Sequence, residues 1–292
     1  LNTTCLTAAR RRAAFLHLRY SPSPPLSLLA QVNGTTPPPA TNDSTAAEWT
    51  LGLEAAQRTF YLGREYGDKA FTLAPSLTYS HPSGFYGTLS GYYFHESQPP
   101  RYAFTDLELG YENTITDHWA YSLSYDRVFF TPPVGGADKL IENGLEAYTS
   151  YDLGPLHAAI DYNFFFGKSS AQTIALALSG KIKKKKWLGL DEVSLTPGAE
   201  VMWGSPLALA RYGGNYVTVS TNKQGRRKTT QTIQGQTVRL LAYELTLPLE
   251  IDRGPLAYTL TGHYLIPQRT PDDTLAPLPT GSYLSLQVSY SF

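Results

Sequence analysis

From Trp49 to Phe292, apolar and polar residues alternate with period two in one segment after another. Successive side chains of a strand point to opposite faces, so each segment carries one apolar and one polar face. At the end of the chain Leu284, Leu286, Val288, Tyr290 and Phe292 share a face, against Ser285, Gln287, Ser289 and Ser291. The segment before it sets Leu256, Tyr258, Leu260, Tyr264 and Ile266 against Thr259, Thr261 and His263. Nowhere does the chain reach the roughly 18 consecutive apolar residues that a spanning helix needs. A soluble β-sandwich also alternates, but it rarely places aromatic residues on the outer face of every strand.

Strands are predicted near 48–62, 70–80, 84–95, 102–113, 118–130, 143–153, 156–166, 172–182, 191–203, 241–251, 256–266 and 284–292. Their connections alternate in length. His81-Pro82-Ser83, Asn113 to Asp117, Gly154-Pro155 and Asp252 to Pro255 are short, whereas 131–142, 204–236 and 267–281 are long. Two further connections, 63–69 and 167–171, are short but fall on the long-loop side. Short turns at one end and long loops at the other are the signature of a transmembrane barrel. The expected fold is therefore all-β, an antiparallel up-and-down transmembrane β-barrel of about twelve strands, with both termini at the short-turn, periplasmic end. Aromatic girdles are expected where Tyr79, Phe85, Tyr111 and Trp119 approach one rim and Phe129, Phe130, Phe164 and Phe166 the other.

Turn positions also give registers. Asp252 to Pro255 is expected to pair Ile251 with Leu256 and so Glu244 with His263, both facing the lumen. Gly154-Pro155 is expected to set Asp152 opposite His157 and Tyr148 opposite Asp161. Leu241, Tyr243, Leu245, Leu247, Leu249 and Ile251 form the outward stripe of their strand.

A mean hydropathy of −0.25 with 42% hydrophobic residues is compatible with this fold, because lumen-facing polar residues dilute the lipid-facing ones. A formal net charge of zero argues against nucleic acid as a partner. The lone Cys5 has no intramolecular disulfide partner. Arg10, Arg11 and Arg12 precede an apolar stretch ending at Ala30, so 1–30 is expected to be a signal peptide and 31–47, rich in Thr, Pro and Asn, a flexible periplasmic leader. The barrel is assigned to 48–292.

The ending Gln287-Val288-Ser289-Tyr290-Ser291-Phe292, with Leu286, Val288, Tyr290 and Phe292 on one face, resembles the C-terminal signal of bacterial outer-membrane proteins. That resemblance implies recognition by the barrel-assembly machinery and localisation in the bacterial outer membrane, among its lipids. Over roughly 48–292 the chain also looks like porin-like barrels of the Bacteroidota type. No characterised subfamily is matched, so no functional residue is carried over.

The faces opposite the apolar stripes are mainly acidic: Glu54, Asp106, Glu108, Asp126, Glu146, Asp161, Glu200 and Glu244, with Arg58 and His263 among them. Rings of carboxylates favour cations, so a channel for small solutes with an acidic lumen is the leading reading. A closed barrel that is structural or binds a partner is the alternative, since about twelve strands lie between the side-chain-filled and the open-channel sizes. A Glu244–His263 pair reads first as a structural hydrogen bond. An outer-membrane lipid hydrolase is the enzymatic rival, but no serine motif singles out a nucleophile, and no catalytic residue, metal-ligand spacing or cofactor motif is assigned. Tyr216 to Val219 and Thr229 to Ile233 suggest a hairpin tipped by Arg226, Arg227 and Lys228. Lys181 and Lys183 to Lys186 before Trp187 suggest contact with phospholipid headgroups.

Overall fold

Alternation along the chain is realised as twelve antiparallel strands closed into one barrel. The computed structural model describes residues 46–65, 71–95, 101–131, 141–187, 189–211, 219–221, 228–230, 237–269, 278 and 280–292. The strands are β1 (Glu48–Ala56), β2 (Phe71–Ser80), β3 (Phe85–His95), β4 (Arg101–Thr116), β5 (Trp119–Phe130), β6 (Ile141–Leu153) and β7 (Leu156–Gly167). There follow β8 (Ser170–Gly180, resuming as Ile182–Trp187), β9 (Leu190–Leu195, resuming as Gly198–Gly204), β10 (Arg239–Arg253), β11 (Leu256–Pro267) and β12 (Gly281–Ser291). Each pairs with the next, and β1 closes the ring on β12 through Thr50↔Ser291 and Glu54↔Gln287. The breaks in β8 and β9 lie at Pro197, which has no N–H to give the ladder. Its carbonyl accepts from the Gly180 amide at 3.0 Å, and Ser179↔Gly198 and Ile182↔Leu195 keep one register across the gap. The predicted signal peptide, the leader as far as residue 45 and the tip residues Arg226 and Arg227 lie outside the described residues.

The outer wall is apolar. Leu53, Leu89, Leu109, Leu123, Leu145, Ile160, Leu178, Leu245, Leu260 and Leu286 all stand exposed, a surface far larger than a water-soluble monomer presents. Aromatic rings meet at both rims. Trp49 packs on Tyr79 (centroids 4.9 Å apart) and Phe85 on Tyr111 (5.0 Å) at the tight-turn end, and Tyr93 packs on Tyr102 (5.7 Å) at the other. Trp119 and Phe129 on β5 are about ten residues apart, which at about 3.3 Å per residue and a tilt of about 45° is an upright span of roughly 23 Å. That is the height of the lipid-facing band of a transmembrane barrel, about 25 Å.

Inside, the long-loop half is filled by an apolar plug built from two segments that the sequence placed elsewhere. The predicted strand 48–62 ends at Ala56, and the chain turns into the lumen as a hairpin, Phe60–Tyr61 against Arg64–Glu65. Leu62 (φ 52) and Gly63 (φ 78) form its two-residue turn, the left-handed pair that matches strand twist. A leucine in that conformation costs about 1–2 kcal/mol. Complete burial of Leu62 offsets this by about 1.5–3 kcal/mol. A Cβ on Gly63 would stand 2.6 Å from the Cβ of Ala242, so only glycine seats the turn against the wall. Arg64 fastens it by donating to the carbonyls of Gln268 (2.8 Å) and Leu241 (3.3 Å). The second segment is a single 3₁₀ turn, Pro206–Ala210, at the start of what the sequence suggested was an external loop.

Two expectations about β10 are corrected. Leu241 is not part of the outward stripe. Trp203 pairs with Leu240 and Met202 with Ala242, so Leu241 is the extra residue of a bulge and is buried with Ala242 in the plug. The β10–β11 turn is tighter than expected: Gly254 (φ 58) permits a two-residue turn with Arg253↔Leu256. Ile251 therefore pairs with Tyr258 rather than Leu256, and Glu244 with Leu265 rather than His263. A shift of two residues keeps every side chain on its expected face. At the other turn Asp152↔His157 and Tyr148↔Asp161 pair as expected.

Candidate functional site

Beneath the plug the inward faces carry an acidic belt. Asp106 lies between Ser90 and Val128, Glu108 between Thr88 and Asp126, Glu146 between Ser124 and Asn163, and Asp161 between Tyr148 and Ala175. Glu200 faces Glu244 directly, and Glu54 lies between Ala74 and Gln287. Like charges directly opposite on a sheet repel. Both Glu108↔Asp126 and Glu200↔Glu244 therefore call for a counter-charge or for hydrogen bonds that spread the charge.

The counter-charge for the first pair is Arg211. The 3₁₀ turn is pinned where the Gln172 amide donates to Ser205 Oγ (3.1 Å) and the Ser205 amide to the Gln172 carbonyl (2.9 Å). Its exit drops the Arg211 guanidinium onto Asp126 and, 4.2 Å away, over the ring of Phe165. Gly144, the cross-strand partner of Asp126, leaves the space that both groups occupy. Elsewhere in the belt hydrogen bonds spread the charge: the Tyr86 hydroxyl donates to Glu108 (2.8 Å) and the Asn163 amide to Asp161 (3.0 Å). Arg58, expected on a lumen-facing strand, lies instead in the bend between β1 and the inner hairpin. It forms a two-bonded pair with Glu65, each bond 2.7 Å, and that hydrogen bonding holds the guanidinium charged more firmly than usual.

Two histidines join carboxylates. At the tight-turn end His157 Nδ1 bonds Asp152 at 2.8 Å. Just below the plug, His263 Nδ1 bonds Glu244 Oε1 at 2.7 Å, a diagonal contact that survives the corrected register, while its Nε2 lies 3.0 Å from Ser285 Oγ. The imidazole stacks on Tyr283 at 4.2 Å and 4°, and Phe60 of the hairpin stacks on the same tyrosine at 4.9 Å.

The tight-turn rim is basic on one side. Lys181 pairs with Glu250 (3.1 Å), Lys185 with Glu192 (3.9 Å), and Lys184 lies 5.2 Å from the centre of the Trp187 ring.

Sequence reading placed the carboxylates and His263 on the inward faces but missed Arg211 and Ser285. Arg211 had a signal: Pro206-Leu-Ala-Leu-Ala is too apolar for an exposed loop. Ser285 had none, since it is one of four alternate serines and glutamines in its strand.

No protein-family model and no curated protein sequence matches the chain. Among solved structures it is similar to a KdgM porin, with TM-score 0.48 and 8% identity over 83% of this chain and 99% of that one. It is similar also to a NanC porin, with TM-score 0.46 and 11% identity over 83% of this chain and 98% of that one. LpxR from Salmonella typhimurium gives TM-score 0.42 and 14% identity over 82% and 99%. These are similarities of barrel architecture.

Proposed function

We propose that this chain is a porin-like barrel of the bacterial outer membrane whose lumen favours small cationic and neutral solutes over anions, and whose outer mouth is held shut by the inner hairpin and the 3₁₀ turn. The observation that carries this reading is the acidic belt lying directly under the plug, in which the inward carboxylates outnumber Arg211, the cation the 3₁₀ turn brings to them. A low-dielectric interior focuses such a field, and carboxylate rings select cations. In this reading the tight turns face the periplasm, outer-membrane lipids bathe the apolar band, and the stripe Leu286, Val288, Tyr290 and Phe292 is what the assembly machinery engages. Lys184 and Trp187 meet phospholipid headgroups at the inner rim.

The test is the reversal potential across a potassium chloride gradient in planar bilayers, using a variant in which 57–65 is replaced by a short Gly-Ser linker. Cation selectivity is expected, and it should weaken when Glu108 and Glu200 become glutamine. Chloride selectivity would sink the proposal. The depth of the plug favours a second reading, a permanently closed barrel that binds a partner at its long-loop end. That reading requires no conductance even from the linker variant.

A further inference from the structure

We propose that Glu244, His263 and Ser285 form a nucleophilic acyl-transfer site inside the barrel, which hydrolyses short-chain esters of hydrophilic, uncharged alcohols. Three neighbouring strands contribute one residue each in a diagonal line: Glu244 on β10, His263 on β11 and Ser285 on β12. The distances, 2.7 Å from Glu244 to Nδ1 and 3.0 Å from Nε2 to Ser285 Oγ, are those of a hydrogen-bonded carboxylate–imidazole–hydroxyl relay. Such relays are recognised by geometry and roles, whatever the fold. With Nδ1–H donated to Glu244, Nε2 is the acceptor that faces the serine hydroxyl. Stacking on Tyr283 holds the ring flat, and the Tyr283 hydroxyl donates to the same Glu244 oxygen at 3.4 Å.

Exposure rises along the relay in the order the chemistry requires. The Glu244 side chain is 1% exposed and that of His263 11%, while Ser285 is half-buried. On the tight-turn side of Ser285 the inward residues Gln287, Ser289 and Thr259 are also only half-buried, so water reaches the serine from that end. On the other side the plug closes the site. Ser285 pairs with Ala56 on one flank and with Thr261 on the other, so both of its cross-strand neighbours are small. The Thr261 hydroxyl lies on the same face, with Cβ atoms about 5 Å apart, where it can donate to a carbonyl oxygen. The acidic belt repels anionic substrates, and the hydroxyl-rich wall suits a neutral, hydrophilic alcohol.

Ser285 Oγ bonds to the ester carbonyl carbon as its proton passes to His263 Nε2. The tetrahedral adduct then expels the alcohol oxygen, which takes that proton from His263 and leaves as the alcohol. Water attacks the acyl-serine with His263 again accepting a proton, and collapse releases the carboxylic acid and restores Ser285.

The experiment uses the full chain refolded in detergent, with heat-modifiable gel mobility reporting the folded barrel. A fluorophosphonate probe should modify Ser285, located by mass spectrometry, and p-nitrophenyl acetate should be hydrolysed faster than the palmitate ester. His263→Ala should slow both labelling and hydrolysis by about 10²–10⁴-fold, the usual contribution of a general base. Ser285→Ala should abolish labelling, while Ser83→Ala, in the exposed turn between β2 and β3, should leave both readouts unchanged. Should His263→Ala not fold, His263→Gln keeps a polar side chain in the network and must lose activity alike. A folded barrel that is not labelled, is labelled elsewhere, or is labelled at the same rate without the imidazole overturns the assignment.

Discussion

Replacing Arg211 with methionine removes a charge from one of the most buried places in the barrel while keeping most of its length. The Arg211 side chain is 0% exposed and that of Asp126 4%, and the guanidinium also lies over Phe165. Losing one partner of a buried pair costs about 3–5 kcal/mol, because the other charge is left without its partner. Here the remaining Asp126 also faces Glu108 directly across the strand pair, which places the effect toward the upper part of that range. Against a total stability of about 5–15 kcal/mol, such a loss is large. Asp126→Asn should cost a similar amount through Arg211. The double variant, with neither charge, should be far more stable than the sum of the two losses suggests. Urea titration of the refolded barrel, read by tryptophan fluorescence and gel mobility, measures all four stabilities. Hydrogen exchange over 205–211 separates release of that segment from global unfolding. Single losses within about 0.5 kcal/mol of zero that simply add would refute a structural role for this pair, since coupled partners deviate by about 0.5–3 kcal/mol.

Other outcomes follow from particular contacts. Gly110→Val should destabilise the barrel by about 1–3 kcal/mol in the same titration, because a side chain there runs into the Tyr86 ring that crosses the glycine to reach Glu108. Leu260, outward and 44% exposed near the middle of its strand, should tolerate lysine poorly, at a cost of about 2–4 kcal/mol in lipid vesicles. The neighbouring Thr259→Lys, on the inward face, should cost much less, and equal costs would place lipid on the wrong side of the wall. Deleting Phe292 should lower the yield of assembled barrel in cells without preventing refolding in detergent. Equal yields would argue against the terminal stripe as an assembly signal.

The barrel wall was legible because its physics is local. Leu284, Leu286 and Tyr290 on one face and Gln287 and Ser289 on the other follow from strand geometry alone, and twelve such patterns close only one way. What sequence reading missed are places where tertiary packing overrides the period. Leu241 sits on an outward parity but turns inward because a bulge inserts one residue. Phe60, Tyr61 and Leu62 are β-prone enough to look like more strand, but as three apolar residues in a row they break the alternation of β1, and they leave the wall to fill the lumen. The Glu244–His263 contact was anticipated for an inexact reason. A two-residue error in the turn preserved the face, and the length of the side chains bridged the diagonal. Arg211 needed the fold, because the apolar run before it marks a buried segment but does not name the carboxylate, more than eighty positions earlier, to which it descends.

An acidic lumen is shut by a plug whose hairpin is seated on Ala242 and packed beside the 3₁₀ turn. Single-channel recording of the wild type beside Gly63→Val tests it most directly. Valine at a φ of 78 and against a 2.6 Å neighbour cannot seat the turn as glycine does. At about 1–3 kcal/mol for the backbone conformation and about 1–3 for the overpacking, the closed-to-open ratio should fall roughly 30-fold or more. The account predicts a wild type that stays near baseline and a variant with resolved, cation-selective openings. A wild type that conducts freely, or a folded variant as silent as the wild type, would contradict it.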